Sequence, residues 1–195
     1  PKDAVTTIAE ALRKNMKSAK IWKLQGIIMR EQSDYTKALQ SFTMAYRLDS
    51  KDDNILLEIC NLHLYERNKK LFLQNSYNLL SSSKSSSAVV RYAVALHLDG
   101  RTKNAIDWLN TYEINFMPPI SEDETLFRNE LFLYHSTLYI EAGMYDECIK
   151  YLEKNQPLIR DAVSVNEKLA TCYVKLGKKE EALKGTEGLK RRESV

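Results

Sequence analysis

Small, aromatic and aliphatic positions recur along this chain at a fixed spacing, with polar residues between them. Segments 139–152 and 173–186 align at an offset of 34 residues in three matched pairs: Tyr139 with Tyr173, Gly143 with Gly177, and Cys148 with Ala182. The 195 residues include only six glycines and four prolines, which favours long helices over many short strands. A fixed period of this length indicates stacked copies of one supersecondary unit.

The stretch at residues 22–45 carries the clearest single copy of that unit. Five of its positions match the 34-residue tetratricopeptide repeat, namely Trp22, Gly26, Ala38, Phe42 and Ala45. In such a hairpin of helices A and B, we expect Gly26 and Ala38 to be small because the helices approach most closely there. We expect Trp22 and Phe42 to fill the space between consecutive hairpins, since one hairpin cannot bury its own apolar face.

The same register extends to the weaker copies. In the second copy Cys60 holds a small position and Asn68 opens the turn. In the third, a turn at Asp99–Gly100 precedes Ala105. Between the third and fourth copies the spacing exceeds one period by about nine residues.

The excess falls at residues 115–124. There Pro118–Pro119 ends one helix, and the capping box formed by Ser121 and Glu124 starts the next. The serine tract at residues 81–87 is interpreted as a loop, with a domain linker as the alternative.

We therefore predict one all-α, tetratricopeptide-repeat-like solenoid over residues 1–195, wound as a right-handed superhelix. It begins with an orphan helix at 3–15, whose partner helix we expect to be missing. Five hairpins follow, at about 19–50, 53–82, 86–114, 121–156 and 161–190. The structural repeat positions in the later hairpins are Ala105, Gly143, Cys148, Gly177 and Ala182.

The sequence offers no candidate catalytic, cofactor-binding or metal-binding residue. It has no glycine-rich phosphate loop, no nucleophile elbow and no zinc-protease motif. Cys60 and His63 share a helix face, but two ligands do not make a structural zinc site. Three sparse cysteines are typical of reduced core residues in a cytosolic protein. We therefore predict a protein that is not an enzyme and uses no cofactor.

Composition and charge restrict the partners. No run approaches 18 apolar residues, so we expect no membrane segment. The chain starts without an initiator methionine or a secretory leader, so we expect a piece of a longer protein. A formal net charge of +3 neither requires nor excludes an anionic partner. It does not favour a helical-repeat protein that reads RNA bases, so we predict no sequence-specific nucleic acid.

The A helices of the predicted superhelix line its concave face. The candidate partner-binding residues on this face are Lys20, Lys23, Ile27, Arg30, Asn61, Tyr65, Val94, His97, Leu133 and Thr137. Five basic residues cluster near the first A helix: Lys14, Lys17, Lys20, Lys23 and Arg30. Within that helix Glu31 is the only opposing charge. This stripe is interpreted either as a contact for RNA phosphates or as a solvated helix face.

Three ordered blocks, spread over about residues 10–185, resemble the auxiliary subunit of the NatA N-terminal acetyltransferase. The first comprises Lys17–Ser18, Trp22, Gly26–Ile27–Ile28, Tyr35, Ala38 and Asp49. The second runs from Tyr92 to Leu98, and the third comprises Leu131, Leu133, Tyr134, Glu141–Ala142–Gly143 and Tyr145. The serine tract and the loop at 115–119 depart from the family pattern. The NatB auxiliary subunit and a general tetratricopeptide adaptor stay open as alternatives.

The resemblance implies a non-catalytic scaffold that belongs to a much longer ring of hairpins. Such a ring would hold a GNAT-fold catalytic subunit and dock the complex on the ribosome in the cytoplasm. The catalytic subunit would bind acetyl-CoA and the peptide substrate. The tightest grip on that subunit would lie beyond the repeats present here, which would serve ribosome contact and ring closure.

Overall fold

The computed structural model describes residues 2–83, 85–117 and 122–182, and every regular element within these ranges is helical. The helices are α1 (Lys2–Lys14), α2 (Ala19–Glu31), α3 (Tyr35–Leu48), α4 (Asp53–Tyr65), α5 (Lys69–Ser82), α6 (Ser86–Leu98), α7 (Thr102–Asn115), α8 (Glu122–Glu141), α9 (Tyr145–Asn155) and α10 (Ala162–Lys175). A short 3-10 turn, Gln156–Leu158, follows α9, and residues 179–182 are again helical. The predicted all-α fold is confirmed.

Contacts between residues divide the chain into two compact units, residues 1–95 and 96–195, with the boundary inside α6. Unit 1 contains α1 to α5 and most of α6, and unit 2 contains α7 to α10. The single domain and the right-handed superhelix inferred from the sequence stay predictions.

One turn geometry recurs between the two helices of each hairpin. Its central residue has a positive φ, between 56° and 83°, at Ser33, Arg67, Gly100, Gly143 and Gly177. The amide of that residue donates to the carbonyl three residues back, and the next amide donates to the carbonyl five residues back. This is the Schellman arrangement, which satisfies carbonyls that a helix end leaves without partners. The turns therefore define the repeat register independently of the side chains.

In the first two turns the residue with positive φ is not a glycine. Ser33 and Arg67 adopt the left-handed conformation at a cost of roughly 1–2 kcal/mol each. The residue that follows offsets part of this cost by capping the next helix. Asp34 accepts from the Lys37 amide at 3.1 Å, and Asn68 accepts from the Leu71 amide at 3.2 Å. Asn68 thus closes the second turn and caps α5, whereas the sequence placed it at the start of the turn.

Packing in the first hairpin explains its small residues. A Cβ atom added to Gly26 would lie 2.8 Å from the Phe42 ring, so the aromatic ring occupies the space beside the glycine. Ala38 and Ala45 are fully buried in the same apolar cluster, which extends to Ile55 of α4. Phe42 therefore packs within its own hairpin and also reaches the next one. Trp22 packs against this cluster and is only half-buried.

The second hairpin corrects one detail of the register. Cys60 lies seven residues before its turn, as Gly26 does, whereas the counterpart of Ala38 is Phe72. Both Cys60 and Phe72 are buried, so this hairpin places a large side chain where the others have a small one. In the later hairpins the predicted small residues are buried five positions after each turn, at Ala105, Cys148 and Ala182.

The extra residues between the third and fourth hairpins lengthen a helix. Helix α8 has 20 residues, whereas α9 has 11 and α10 has 14. Pro118, Pro119 and Ser121 lie outside the described residues.

The serine tract is mostly helical. Ser81 and Ser82 end α5, and Ser86 and Ser87 begin α6. Ser83 and Ser85 lie outside both helices, so the predicted connection falls inside the tract but is shorter than residues 81–87. Serine tolerates helix ends, because its hydroxyl can bond to nearby backbone groups.

Candidate partner-binding surface

Two of the three basic side chains predicted on α2, Lys23 and Arg30, are paired with acids of the next hairpin. Lys23 Nζ lies 2.7 Å from Asp52 Oδ2, and Arg30 contacts both Glu58 and Glu31. The hydrogen bond from Lys23 lowers the pKa of Asp52, and the hydrogen bonds to Glu58 and Glu31 raise the pKa of Arg30. Glu31 is the one acid within α2, as expected, but Asp52, which caps α4, and Glu58 of α4 reach α2 from the next repeat.

The remaining predicted residues of unit 1 differ in exposure. Asn61 accepts a hydrogen bond of 2.9 Å from the Arg91 guanidinium, so α4 and α6 are joined in the same way as α2 and α4. Tyr65 is 64% exposed, and its ring centroid lies 4.2 Å from that of Tyr35. Ile27 and Val94 are half-buried.

In unit 2 the predicted residues also join consecutive A helices. His97 Nε2 lies 2.6 Å from Glu141 Oε2, and its Nδ1 lies 3.1 Å from the Tyr134 hydroxyl. Burial, followed by the charge of Glu141, raises the pKa of Tyr134. Thr137 accepts from Lys168 Nζ of α10 at 2.5 Å. Leu133, one turn before Thr137, is half-buried.

Several residues of the predicted face therefore contact side chains of the neighbouring A helix. Within each unit the structure brings several of its members close to the next repeat. Whether the residues of both units form one continuous partner-binding surface stays a prediction. Of the five basic residues predicted near the first A helix, Lys14, Lys17 and Lys20 are exposed.

A buried polar cluster in unit 2 was not expected from the sequence. His135 of α8 is fully buried, and its Nδ1 lies 2.7 Å from Glu113 Oε1 of α7. The Tyr151 hydroxyl of α9 donates to the same oxygen at 2.7 Å, and Tyr139 donates to Asn110 at 3.1 Å. Burial is the main cause that raises the pKa of both tyrosines.

The available sequence signal for this cluster was weak. His135 and Tyr139 are four residues apart, so they share a face of α8, and their rings stack with centroids 4.9 Å apart. The partners Glu113 and Tyr151 lie on two other helices. Helical spacing within one segment cannot identify such partners, because they depend on tertiary packing.

The three cysteines are buried free thiols. Burial raises the pKa of Cys60, Cys148 and Cys172, which keeps the thiols protonated and weakly nucleophilic. No metal-binding group of three or more acidic, histidine or cysteine side chains occurs in the described residues. Among those residues, no helix combines the length and the apolar character that crossing a bilayer requires.

Comparison with known proteins agrees with this repeat geometry. The tetratricopeptide-repeat family model matches residues 1–53. The NatA complex auxiliary subunit NAA15 of Arabidopsis thaliana is 27% identical over 93% of this chain, and the human NatA auxiliary subunit N-alpha-acetyltransferase 16 is 26% identical over 92%. The matched regions are 20% and 21% of those proteins, so the chain spans about a fifth of their length.

Solved structures show the same likeness. The structure of Naa15/Naa10 bound to HypK-THB superposes with a TM-score of 0.80 and 26% identity, over 98% of this chain and 29% of that one. The chain resembles NatA auxiliary subunits along most of its length. The resemblance predicted from the sequence is therefore confirmed, and so is the tetratricopeptide-repeat fold. MamA matches with a TM-score of 0.70 over 87% of this chain and 88% of its own, but at 16% identity it shows the fold alone.

Proposed function

We propose that this chain is part of a non-catalytic scaffold, the auxiliary subunit of the NatA N-terminal acetyltransferase. In this role it helps to hold a GNAT-fold catalytic subunit, which binds acetyl-CoA and the peptide substrate. The observation that carries the proposal is the similarity to NatA auxiliary subunits over more than nine-tenths of the chain. The Naa15 structure it resembles contains Naa10, which names the partner to test.

The buried side chains of the described residues support a structural role. The Cys60, Cys148 and Cys172 thiols face the interior, and Glu113 is held by two hydrogen bonds. The thiols are not available to an external substrate, and Glu113 is already engaged by side chains of the protein itself. A scaffold needs only a rigid stack of hairpins with partner-facing side chains, and this arrangement supplies one.

Binding to purified catalytic subunits tests the assignment. We expect the immobilised chain to retain the NatA catalytic subunit and to release the NatB catalytic subunit under the same wash. Retention of the NatB subunit alone would favour the NatB auxiliary subunit. Failure to retain either would favour a general tetratricopeptide adaptor. Because both catalytic subunits have the GNAT fold, nonspecific binding to that fold would retain both of them.

We also propose that the chain contributes to ribosome docking and hence to a cytoplasmic, ribosome-associated location. Lys14, Lys17 and Lys20 are exposed near the α1–α2 turn and can reach phosphate groups. Lys23 and Arg30 already neutralise acids of the repeat array, so they are poorer candidates for this contact.

The two sets of cations provide a matched test of docking. We expect charge reversal of Lys14, Lys17 and Lys20 to weaken binding to ribosomes and to flatten its salt dependence. Each lost phosphate contact should change the slope by somewhat under one unit, by analogy with DNA. A Lys23→Met variant, which alters a paired cation, serves as the control. Equal affinity and equal salt slope for the triple variant and the unaltered chain would remove docking from this surface.

A further inference from the structure

A cavity of about 260 Å³ lies within unit 2, beside the buried polar cluster. Helix α8 contributes Arg128 and Phe132 to its wall, α7 contributes Glu113 and Ile114, and α9 contributes Lys154. The extra length of α8 makes this wall possible, because Arg128 lies in the part of the helix that precedes the ordinary repeat. The cavity is therefore a feature of this hairpin rather than of the repeat in general.

Arg128 in this wall carries an unpaired buried charge. Its side chain is 9% exposed, and the Nε and Nη2 atoms are buried without a hydrogen-bond acceptor. A buried guanidinium is costly unless a counter-charge accompanies it. Nε–H and Nη2–H lie along one edge of the planar group, where they match the two oxygens of a carboxylate. Arg128 is thus prepared for an acceptor that the described residues do not supply.

The one acid that the described residues contribute to the wall is already engaged. Glu113 Oε1 accepts from the Tyr151 hydroxyl and lies within hydrogen-bond distance of His135 Nδ1, at 2.7 Å in each case. No ion pair between Glu113 and Arg128 is found in the described part of the chain. The acid therefore shapes the cavity and leaves the guanidinium available to a ligand.

Charge and polarity indicate the kind of ligand. Among the described lining residues, Arg128 and Lys154 against Glu113 give a formal charge of +1, which one carboxylate would balance. A phosphate dianion would bring excess negative charge next to Glu113. Ile114 is 79% exposed at the rim, and Leu158 also lines the cavity, so apolar residues beside the carboxylate would find contacts. The volume suits one side chain and is below the range of most small-molecule pockets, about 300–1,000 Å³.

We propose that this cavity binds the carboxylate of an aspartate or glutamate side chain in a partner peptide, flanked by apolar residues. Arg128 takes the carboxylate in a two-pronged hydrogen bond, and Lys154 adds a second positive charge. The inference goes beyond the scaffold role and does not depend on which acetyltransferase complex contains the chain. A failure to bind either catalytic subunit would leave it standing.

Titration of the whole chain with matched peptides tests this site. The probes are Ac-Leu-Glu-Leu-Phe-NH2, its glutamine counterpart and its phosphoserine counterpart, observed through the 15N-labelled Nε–H signal of Arg128 by NMR. We expect the glutamate peptide to shift that signal and to bind at least tenfold more tightly than the glutamine peptide. No shift at millimolar peptide, or equal affinities for these two peptides, would overturn the proposal. Tighter binding of the phosphoserine peptide would overturn the carboxylate assignment.

Two substitutions distinguish binding at Arg128 from nonspecific electrostatic attraction to the protein surface. Arg128→Met should abolish the preference for glutamate and raise the melting temperature, because it removes an unpaired buried charge. Arg160→Met, at an exposed position of the same unit, should change neither. If Arg128→Met does not fold, the glutamate and glutamine peptides with the unaltered chain still decide the question. Retention of the glutamate preference by folded Arg128→Met would contradict the assigned role.

Discussion

The first and fourth hairpins differ in how many polar side chains they bury. Around α2 and α3 the interior is mostly apolar, with Phe42 packed on Gly26 and Ser41 as the one buried polar side chain of these two helices. Around α8 and α9 the interior contains His135, hydrogen-bonded to Glu113, and Arg128 without a partner. Both hairpins nevertheless share the same turn geometry. The turns and the small residues specify the repeat, and the rest of the interior is free to vary.

This difference in buried polarity indicates different roles for the two hairpins, stability for the first and recognition for the fourth. An apolar interior contributes stability through burial and close packing. A buried polar interior contributes less net stability, because each polar group loses its water and must find a partner. We therefore expect the first hairpin to stabilise the array and the fourth to carry a specific binding function. The predictions below test that contrast in order of expected effect.

The largest effect should come from the apolar interior. Phe42→Ala should lower the free energy of unfolding by about 3–5 kcal/mol, because it removes a fully buried ring and leaves a cavity. Phe116→Ala is the matched control, since Phe116 is 68% exposed and should lose less than about 0.5 kcal/mol. Urea denaturation measures both. Similar losses for the two variants would contradict the packing described for the first hairpin.

Loss of Glu113, the acceptor shared by His135 and Tyr151, should lower the stability of the fourth hairpin. Glu113→Ala leaves His135 and Tyr151 without their common partner, at a cost of about 1–3 kcal/mol for each buried donor left unsatisfied. Glu130→Ala on the exposed face of α8 provides the control. Thermal unfolding followed by circular dichroism would measure the difference. A Glu113→Ala chain as stable as the Glu130→Ala chain would show that the cluster contributes nothing.

The shared repeat register predicts equal intolerance at equivalent positions. Ala38→Leu and Ala182→Leu each place a larger side chain five residues after a turn, and each should cost roughly 1–3 kcal/mol. Lys179→Leu, at an exposed position near Ala182, controls for added apolar surface. An unchanged melting temperature for Ala182→Leu would show that the register of the last hairpin is wrong.

The smallest effect should come from the ion pair between α2 and α4. Lys23→Met should cost about 0.2–1 kcal/mol at neutral pH, since both partners are partly exposed. The pKa of Asp52 is lowered below its ordinary value of 3.8, so the pair stabilises the fold above that pH. Its contribution disappears as the pH falls through the lower folded value. A cost of Lys23→Met that persists below that range would assign the effect to packing.

The sequence predicted the repeat more fully than it predicted the interior. The Asp99–Gly100 pair identified one turn, because glycine readily adopts a positive φ, and Gly143 and Gly177 were recognised as matched repeat positions. Ser33 and Arg67 adopt the same conformation without that signal, so Asn68 marked the second turn and the match to the repeat pattern marked the first. Ser33 and Arg67 hold this conformation because the hydrogen bonds of the turn outweigh the unfavourable energy of a positive φ.

The candidate site was predictable only in part. Lys23 and Arg30 were placed correctly on one helix face, but their acidic partners lie in the next repeat. Arg128 gave no signal, because a charged residue in a helix is normally solvated. Its burial follows from the lengthening of α8, and the depth at which a side chain lies is a property of tertiary packing.

Acetyl transfer on an immobilised chain tests the central claim most directly. The beads are incubated with the NatA catalytic subunit, washed, and supplied with acetyl-CoA and a serine-starting peptide. The scaffold account predicts no turnover on beads with the chain alone and clear turnover on beads that received the catalytic subunit. Turnover by the chain alone would contradict the non-catalytic role, and no retained turnover after incubation would contradict the assigned partner.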